Sequence, residues 1–67
     1  MAVARVTEIT SSSPKSFDDA VQIGIQRANK TLKNVKGAWI DNQKVIVENG
    51  KIIEYRVNMR VTFILED

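Results

Sequence analysis

The sequence predicts an α+β fold with the order strand, helix, strand, strand, in which a three-stranded antiparallel sheet is partly wrapped around one helix. Two observations lead to this prediction. Apolar residues between Phe17 and Val35 recur every three or four positions, as on one face of a helix. The flanking segments are rich in β-branched residues, and an Asn-Gly pair at residues 49–50 divides the second of them into a hairpin.

The first strand is predicted over residues 3–11, because they are β-branched and partly alternating and the Ser-Ser-Ser-Pro run at residues 11–14 ends the pattern. Ser16 then provides a side-chain oxygen for a helix N-cap. The two aspartates after Phe17 fall in the first turn, where free backbone N–H groups and the helix dipole favour carboxylates. The helix is therefore predicted to begin directly after Ser16.

One side of this helix is apolar. The stripe consists of Phe17, Ala20, Val21, Gly24, Ile25, Ala28, Leu32 and Val35. Gly24 lies in its middle, where glycine costs about 1 kcal/mol relative to alanine. We therefore expect the helix to pack very close to a strand at Gly24.

The second strand is predicted from about Gly37 to Glu48, and the third follows the turn. Apolar residues alternate along the third strand at Ile53, Tyr55, Val57, Met59, Val61, Phe63 and Leu65. Pairing Glu48 with Lys51 sets the hairpin register. It places Gln43 opposite Arg56, Asp41 opposite Asn58 and Trp39 opposite Arg60 on one polar face, and it directs Ala38, Ile40 and Ile46 toward the helix. A β-bulge near Asn42 would shift the part of this register nearer the turn.

Residues 1–67 are expected to form a single domain with little core of its own. A domain this short buries only about 60% of the surface that its unfolded chain exposes, and there is no cysteine to reinforce it. One helix covers about half the length of the predicted sheet. We therefore expect copies of the same chain to cover the bare sheet in a closed homo-oligomer.

Composition argues against several function classes. The net charge of +2 is small and scattered, which argues against nucleic acid. No run approaches the roughly 20 apolar residues of a membrane span, and no basic and apolar leader begins the chain, so a cytoplasmic location is expected. The chain has no histidine, no cysteine and no Gly-rich phosphate loop, so we do not expect an enzyme.

The order and spacing of these segments resemble the dodecin family over essentially the whole chain. The resemblance is carried by residues 11–14 with 16–20, by 28–35, and by 54–57 through 63–66. It implies a hollow homododecamer of cubic symmetry. The flavin-binding members of the family stack pairs of isoalloxazine rings between tryptophans at a two-fold axis, and a glutamine of the last strand holds the polar edge of the ring.

In an ungapped alignment, the stacking tryptophan of the family falls on Gly37 and its glutamine falls on Arg56. Trp39 lies on the same side of the strand as Gly37, roughly 7 Å further along. The resemblance implies storage or buffering of a flavin, FMN or riboflavin, or of a similar small planar anion. The candidate residues are Trp39 as the stacking platform, Gln43 for the polar edge of the ring, Arg56 for a carbonyl or phosphate, and Gly37 at the family's tryptophan position.

The alternative is a shell that binds calcium or is purely structural. Trp39 and Arg56 would then only join subunits, with Arg56 in an ion pair to a carboxylate such as Asp41 or Glu54. Some dodecins with arginine after the tyrosine and no tryptophan at the usual place are described as calcium-binding. The acidic residues Asp41, Glu48, Glu54, Glu66 and Asp67 do not form an Asp-x-Asp-x-Asp loop, so a calcium site would need carboxylates from several subunits.

Overall fold

The computed structural model describes residues 3–65 and has the predicted order of strand, helix, strand, strand. Its elements are β1 (Ala4–Ser13), α1 (Phe17–Thr31), β2 (Val35–Glu48) and β3 (Lys51–Ile64). The three strands form one antiparallel sheet in which β3 lies between β1 and β2. The predicted α+β topology is confirmed, and the last strand of the chain is the central strand of the sheet.

Three predicted boundaries are wrong by a few residues: the end of β1, the end of α1, and the start of β2, which is Val35 rather than Gly37. β1 continues to Ser13 because its serines pair with β3, ending with Ser13 opposite Tyr55, and this ladder offsets the weak strand preference of serine. The apolar stripe of α1 does not extend to Val35. The helix ends at Thr31, the backbone turns through Asn34 at a φ of 61°, and Val35 begins β2 opposite Phe63.

Serine side chains fix the start of α1. The Oγ of Ser16 accepts a hydrogen bond from the backbone N–H of Asp19 at 3.0 Å, which confirms the predicted N-cap. Ser13 is buried, and its hydroxyl donates to the Asp19 carboxylate at 2.5 Å while accepting from the backbone N–H of Lys15 at 3.0 Å. The end of β1 is therefore tied to the first turn of the helix.

The helix packs against β1 and β3 at very short range around Gly24. A Cβ atom at Gly24 would lie 2.5 Å from the Cε of Met59 and 2.9 Å from the Cβ of Ser11. Real Cβ atoms essentially never come this close to a neighbour, so the close packing expected at Gly24 is confirmed. The buried apolar residues around this contact are Ala20, Ala28, Val57, Met59 and Val61.

The sheet is much longer than the helix that covers it. The 15 residues of α1 span about 22 Å, whereas the 14 residues of β3 span about 46 Å. Phe17 places the start of the helix against Tyr55, with the ring centroids 5.2 Å apart. The hairpin end, which we define as residues 44–54, therefore projects beyond the helix and leaves the apolar side chains of Val45, Val47 and Ile52 exposed.

The predicted hairpin register holds at its two ends and is wrong in between. Trp39 pairs with Arg60, and Glu48 pairs with Lys51, as expected. Between them, Asp41 is an extra residue in β2, a bulge that shifts the pairing by one position. Asn42 rather than Asp41 is opposite Asn58, and Lys44 rather than Gln43 is opposite Arg56.

This shift also exchanges which residues of the upper part of β2 face the helix side. Val45 lies opposite Tyr55 on the helix side, and Ile46 lies opposite Glu54 on the other side, so the predicted inward position of Ile46 is wrong. Ala38 and Ile40 precede the bulge and have the expected orientation, opposite Val61 and Met59. A second irregularity, at Ile53 in β3, restores the register before the turn, and a third, at Lys36, shifts it again at the start of β2.

Candidate functional site

The face of the sheet opposite α1, here called the helix-free face, carries the polar residues of the hairpin. Val57 and Met59 are buried under the helix, so the alternate residues Arg56, Asn58 and Arg60 point to the other side. Their cross-strand partners on β2 share this face and are Lys44, Asn42 and Trp39. The helix-free face therefore combines an aromatic ring with cations and amides.

Trp39 is the aromatic center of this face and is 55% exposed. The guanidinium carbon of Arg60 lies 5.0 Å from the centroid of the Trp39 ring, within the range of a cation–π contact. The Nε of Arg60 donates to both carboxylate oxygens of Asp41 at 3.0 Å. The bulge at Asp41 thus supplies the carboxylate that holds the cation beside the ring.

A shallow depression adjoins Trp39 because Gly37 has no side chain. The depression measures about 350 Å³ and is lined by Lys36, Gly37, Ala38, Trp39 and Thr62. Gly37 pairs with Thr62 and shares the helix-free face with Trp39, and a Cβ at Gly37 would meet no heavy atom within 4 Å. The surface beside the indole is therefore flat and open, which suits one face of a planar ligand.

A second, more polar depression lies further along the same face. It measures about 260 Å³ and is lined by Thr10, Asn42, Lys44, Arg56 and Asn58. The Oγ1 of Thr10 donates to Asn58 at 2.8 Å, and the Nδ2 of Asn58 donates to the Oδ1 of Asn42 at 2.7 Å. This row of hydrogen bonds crosses all three strands and separates the Trp39–Arg60 pair from the Lys44–Arg56 pair.

Arg56 is also part of an ion pair within its own strand. Its Nη2 donates to the carboxylate of Glu54 at 2.6 Å, and both side chains are about one third exposed. A guanidinium carries five N–H donors, so this contact leaves others for a further acceptor. The sequence suggested an ion pair of Arg56 between subunits, whereas the partner here is Glu54 of the same chain.

The structure brings together some of the residues predicted for the site and separates one of them. Trp39, Gly37 and Arg56 share the helix-free face. Gln43 lies opposite the buried Val57, on the helix side, and does not join them. Its predicted place beside Arg56 is wrong because the bulge shifts the register by one residue.

Sequence reasoning missed the contact of Asp41 with Arg60. The predicted register already placed Trp39 opposite Arg60, but it left Asp41 opposite Asn58, one pair further along the ladder. The sequence did offer one indication of this contact, the bulge considered near Asn42. The exact position of the bulge is set by pairing with β3 and cannot be predicted from β2 alone.

Acidic residues do not gather into a metal site within residues 3–65. No group of three His, Cys, Asp or Glu side chains that could hold a metal ion occurs there. Asp41 contacts Arg60, and Glu54 contacts Arg56. Glu66 and Asp67 lie outside the described residues. In this same part of the chain, no helix is long and apolar enough to cross a membrane.

Comparison with known proteins gives one consistent result. The family model described as Dodecin matches residues 3–66. Calcium dodecin of Mycobacterium tuberculosis is 30% identical over 63 residues, which cover 94% of this chain and 89% of that protein. A solved structure of that calcium dodecin, described as having a novel calcium-binding site, has a TM-score of 0.83 at 31% identity and covers 96% of this chain and 91% of its own.

Two solved dodecins superpose more closely. Dodecin of Streptomyces davaonensis has a TM-score of 0.94 at 33% identity and covers 98% of this chain and 97% of its own. Dodecin of Streptomyces coelicolor has a TM-score of 0.94 at 29% identity, with coverage of 98% and 94%. With its whole fold and nearly its whole sequence matched, the chain belongs to the dodecin family.

Proposed function

We propose that this chain assembles into a closed homo-oligomeric shell, a dodecamer, which stores or buffers a flat aromatic ligand. The ligand we propose is a flavin, FMN or riboflavin, stacked on Trp39 in the depression left by Gly37. The observation that carries the proposal is the 55% exposed Trp39 ring beside the open Gly37 surface, with Arg60 fixed at 5.0 Å from the ring centroid.

Assembly is supported by the bare surface of a single subunit. β1 and β2 are both edges of the sheet, and the hairpin end projects beyond α1 with Val45, Val47 and Ile52 exposed. Unpaired edges and exposed apolar strands invite association, and closed symmetric assembly covers them without uncontrolled growth. Copies of the same chain supply the burial that one subunit lacks.

Ligand binding is supported by the way Trp39 and Gly37 complement each other. The stacking tryptophan of flavin-binding dodecins falls on Gly37 in an ungapped alignment, and here the indole is placed two residues further along the same face. A flat ring lying over Gly37 would take the space of the family's tryptophan and would contact the Trp39 indole. Stacking on indole favours an electron-poor heteroaromatic ring, and the nearby cation can contact its carbonyl oxygens.

The proposal of binding without catalysis is supported by the chemistry of these groups. Arginine, lysine, asparagine and threonine on the helix-free face donate hydrogen bonds and hold anions, whereas the chain has no histidine or cysteine to act as a base or nucleophile near neutral pH. Asp41 is engaged by Arg60. Such a site would keep a reactive cofactor out of solution by mass action and quench its excited state by ring contact.

The ligand half of the proposal is tested by titrating the purified protein with riboflavin and following flavin fluorescence. We expect quenching at micromolar concentrations, loss of quenching in Trp39→Ala, and partial retention in Trp39→Phe. Gly37→Leu should also block binding, and it should fold because a Cβ at Gly37 has open space. Absence of quenching in the parent protein, or full quenching in Trp39→Ala, would contradict the flavin site.

The assembly half is tested by mass measurement in dilute buffer. We expect the mass of a dodecamer for the parent protein and a smaller species for Val47→Asp, which places a charge on the projecting hairpin end. Val3→Asp, which also alters an exposed valine but lies away from the hairpin end, should change the mass less. A compact, folded monomer of the parent chain would contradict the shell.

A calcium-binding shell is the second candidate, because a relative at 30% identity is named calcium dodecin. Carboxylates from several copies would have to meet around the ion, since no triad of candidate ligands lies within residues 3–65 of one copy. Calorimetric titration with calcium separates the two functions. Heat of calcium binding without flavin quenching would favour this candidate, and a protein that binds neither would be a structural shell.

A further inference from the structure

We infer that Asn49 is a modification site of this protein, at which the side-chain amide is lost by reaction with the backbone nitrogen of Gly50. The two residues form the turn between β2 and β3, at the tip of the hairpin end. The reaction itself is independent of any ligand, whereas its effect on assembly rests on the proposed function.

The attacking group is the backbone nitrogen of Gly50, and it is accessible. Within residues 3–65 its N–H donates no hydrogen bond. Glycine has no Cβ to shield the nitrogen, and a Cβ placed there would meet no heavy atom within 4 Å, so the space around it is open. Gly50 is exposed, so hydroxide ions from solvent can reach this N–H and remove its proton, which makes the nitrogen a nucleophile.

The group that is attacked, the side-chain amide of Asn49, is also unrestrained by hydrogen bonds. It is exposed and has no hydrogen-bond partner in the described part of the chain. Asn49 has a φ of 52° and Gly50 a φ of 76°, the left-handed pair of a type I′ turn, so neither residue belongs to the β2–β3 ladder. The charged residues on either side, Glu48 and Lys51, are cross-strand partners of each other.

The other asparagines are protected by the fold. Asn34 also has a positive φ, but its amide donates to a backbone oxygen of β3 at 3.5 Å, and the β-branched Val35 that follows it hinders approach to the nitrogen. Asn42 and Asn58 are hydrogen-bonded to each other within the sheet. Asn29 lies within α1, where the next N–H is hydrogen-bonded in the helix. Asn49 is therefore the asparagine that reacts first.

The reaction exchanges the amide for a carboxylate without any change of oxidation state. The deprotonated Gly50 nitrogen attacks the Cγ of Asn49, and the new N–Cγ bond closes a succinimide ring. The amide nitrogen takes a proton from water and leaves as ammonia. Water then adds to one ring carbonyl and breaks its bond to the ring nitrogen. Opening at Cγ gives aspartate, and opening at the backbone carbonyl gives isoaspartate, in which the main chain runs through Cβ and Cγ.

Isoaspartate changes the hairpin end because it adds one carbon atom to the main chain of the turn. A two-residue turn of this type matches the twist of the flanking strands only with a regular backbone. The longer main chain disturbs the pairing of Glu48 with Lys51 and, next to it, of Val47 with Ile52. Val47 and Ile52 are among the exposed apolar residues that support the proposed assembly. The modification should therefore loosen the shell.

The test follows the mass of each asparagine-containing peptide after the parent protein has been incubated in mildly alkaline buffer. Trypsin cleaves after lysine and arginine, so residues 45–51 are released as one peptide in which Asn49 is the only asparagine, and the other asparagines fall in separate peptides. We expect peptide 45–51 to gain the mass difference between an OH and an NH2 group, faster at higher pH, and to elute as two products. The peptide of residues 34–36, which contains Asn34, should stay unchanged over the same time.

The matched control is Asn49→Gly, which keeps the left-handed turn accessible and removes the amide. Its peptide 45–51 should keep its mass throughout the incubation. An unchanged peptide 45–51 in the parent protein, or conversion of Asn34 at the same rate as Asn49, would overturn the inference.

A mass measurement of the incubated protein in dilute buffer tests the effect on assembly. We expect smaller species to appear in the parent protein in proportion to its isoaspartate content, and no change of mass in Asn49→Gly. Complete conversion without smaller species would overturn the effect on the shell and leave the modification site intact. A parent protein that is a monomer before incubation would overturn the proposed assembly instead, and the peptide masses would still decide the modification.

Discussion

Asp41 accepts the Nε–H of Arg60 through both carboxylate oxygens at 3.0 Å, and this contact is made by a residue that the β2–β3 ladder leaves unpaired. The extra residue of a bulge is free to turn its side chain out of the regular alternation. Here it turns a carboxylate to the cation that lies on Trp39. A local irregularity of the strand thus sets the electrostatics of the proposed ligand platform.

Substitution of Asp41 by asparagine should loosen this arrangement with little effect on folding. The ion pair is partly exposed, so its loss should lower the free energy of unfolding by roughly 0.2–1 kcal/mol. Trp39 is the single tryptophan of the chain, and its emission should shift to longer wavelength as the guanidinium leaves the ring. Glu54→Gln breaks the other ion pair, so its Trp39 emission should match that of the parent protein.

The fold was predictable wherever local chemistry decides the structure. The Ser16 cap and the Asn-Gly turn each depend on residues close to them in the chain, and both are present in the structure. The apolar stripe is present as far as Ala28, and its last two residues lie beyond the end of α1 at Thr31. Gly24 was informative because a glycine in a helix has a cost, for which the sequence offered close packing or a soft turn, and the structure shows the close packing.

The bulge at Asp41 could not be positioned in the same way. The position of the bulge depends on which β2 residues form favourable contacts with β3, namely Asp41 with Arg60 and Val45 beside Tyr55. These contacts join residues far apart in the sequence and form only when the strands are paired. One displaced residue then moved Gln43 to the other face, so the candidate site was less predictable than the fold.

Gly24→Ala should destabilise the protein even though alanine is the better helix former. The gain in helix propensity is about 1 kcal/mol, but the new Cβ would overlap Met59 and Ser11, and overpacking of this kind costs about 1–3 kcal/mol. The flexible Met59 end can move, whereas the Ser11 Cβ is fixed to the backbone of β1. Chemical unfolding at matched protein concentration should give a lower free energy of unfolding for Gly24→Ala than for the parent protein.

Gly37→Ala is the matched control for that substitution. Its Cβ meets no heavy atom within 4 Å, so stability should be unchanged or slightly raised. A stable Gly24→Ala protein would mean that helix and sheet can separate without cost, contrary to the close contact at Met59.

Gly50→Ala should weaken the β2–β3 hairpin. Asn49 and Gly50 have φ angles of 52° and 76°, the left-handed pair of a type I′ turn. A Cβ in this region costs about 1–2 kcal/mol, and the loss should appear in the free energy of unfolding. Asn49→Gly keeps the left-handed geometry accessible and should cost much less. Equal losses for both variants would show that the turn conformation is not what limits stability.

Ser13→Ala should be the most damaging single hydroxyl removal in the β1–α1 connection. Ser13 is 1% exposed, and its hydroxyl contacts both the Asp19 carboxylate and the backbone N–H of Lys15. Alanine would leave these two groups without that partner, at a cost of about 1–3 kcal/mol in the free energy of unfolding.

The neighbouring Ser12 is exposed, so Ser12→Ala should change stability by less than about 0.5 kcal/mol. Asp19→Asn in the Ser13→Ala background should recover little of the lost free energy of unfolding, because the backbone N–H of Lys15 still lacks its acceptor. If Ser12→Ala and Ser13→Ala are equally mild, the buried hydroxyl is not what joins β1 to the helix, and the Ser16 cap alone would have to set where α1 begins.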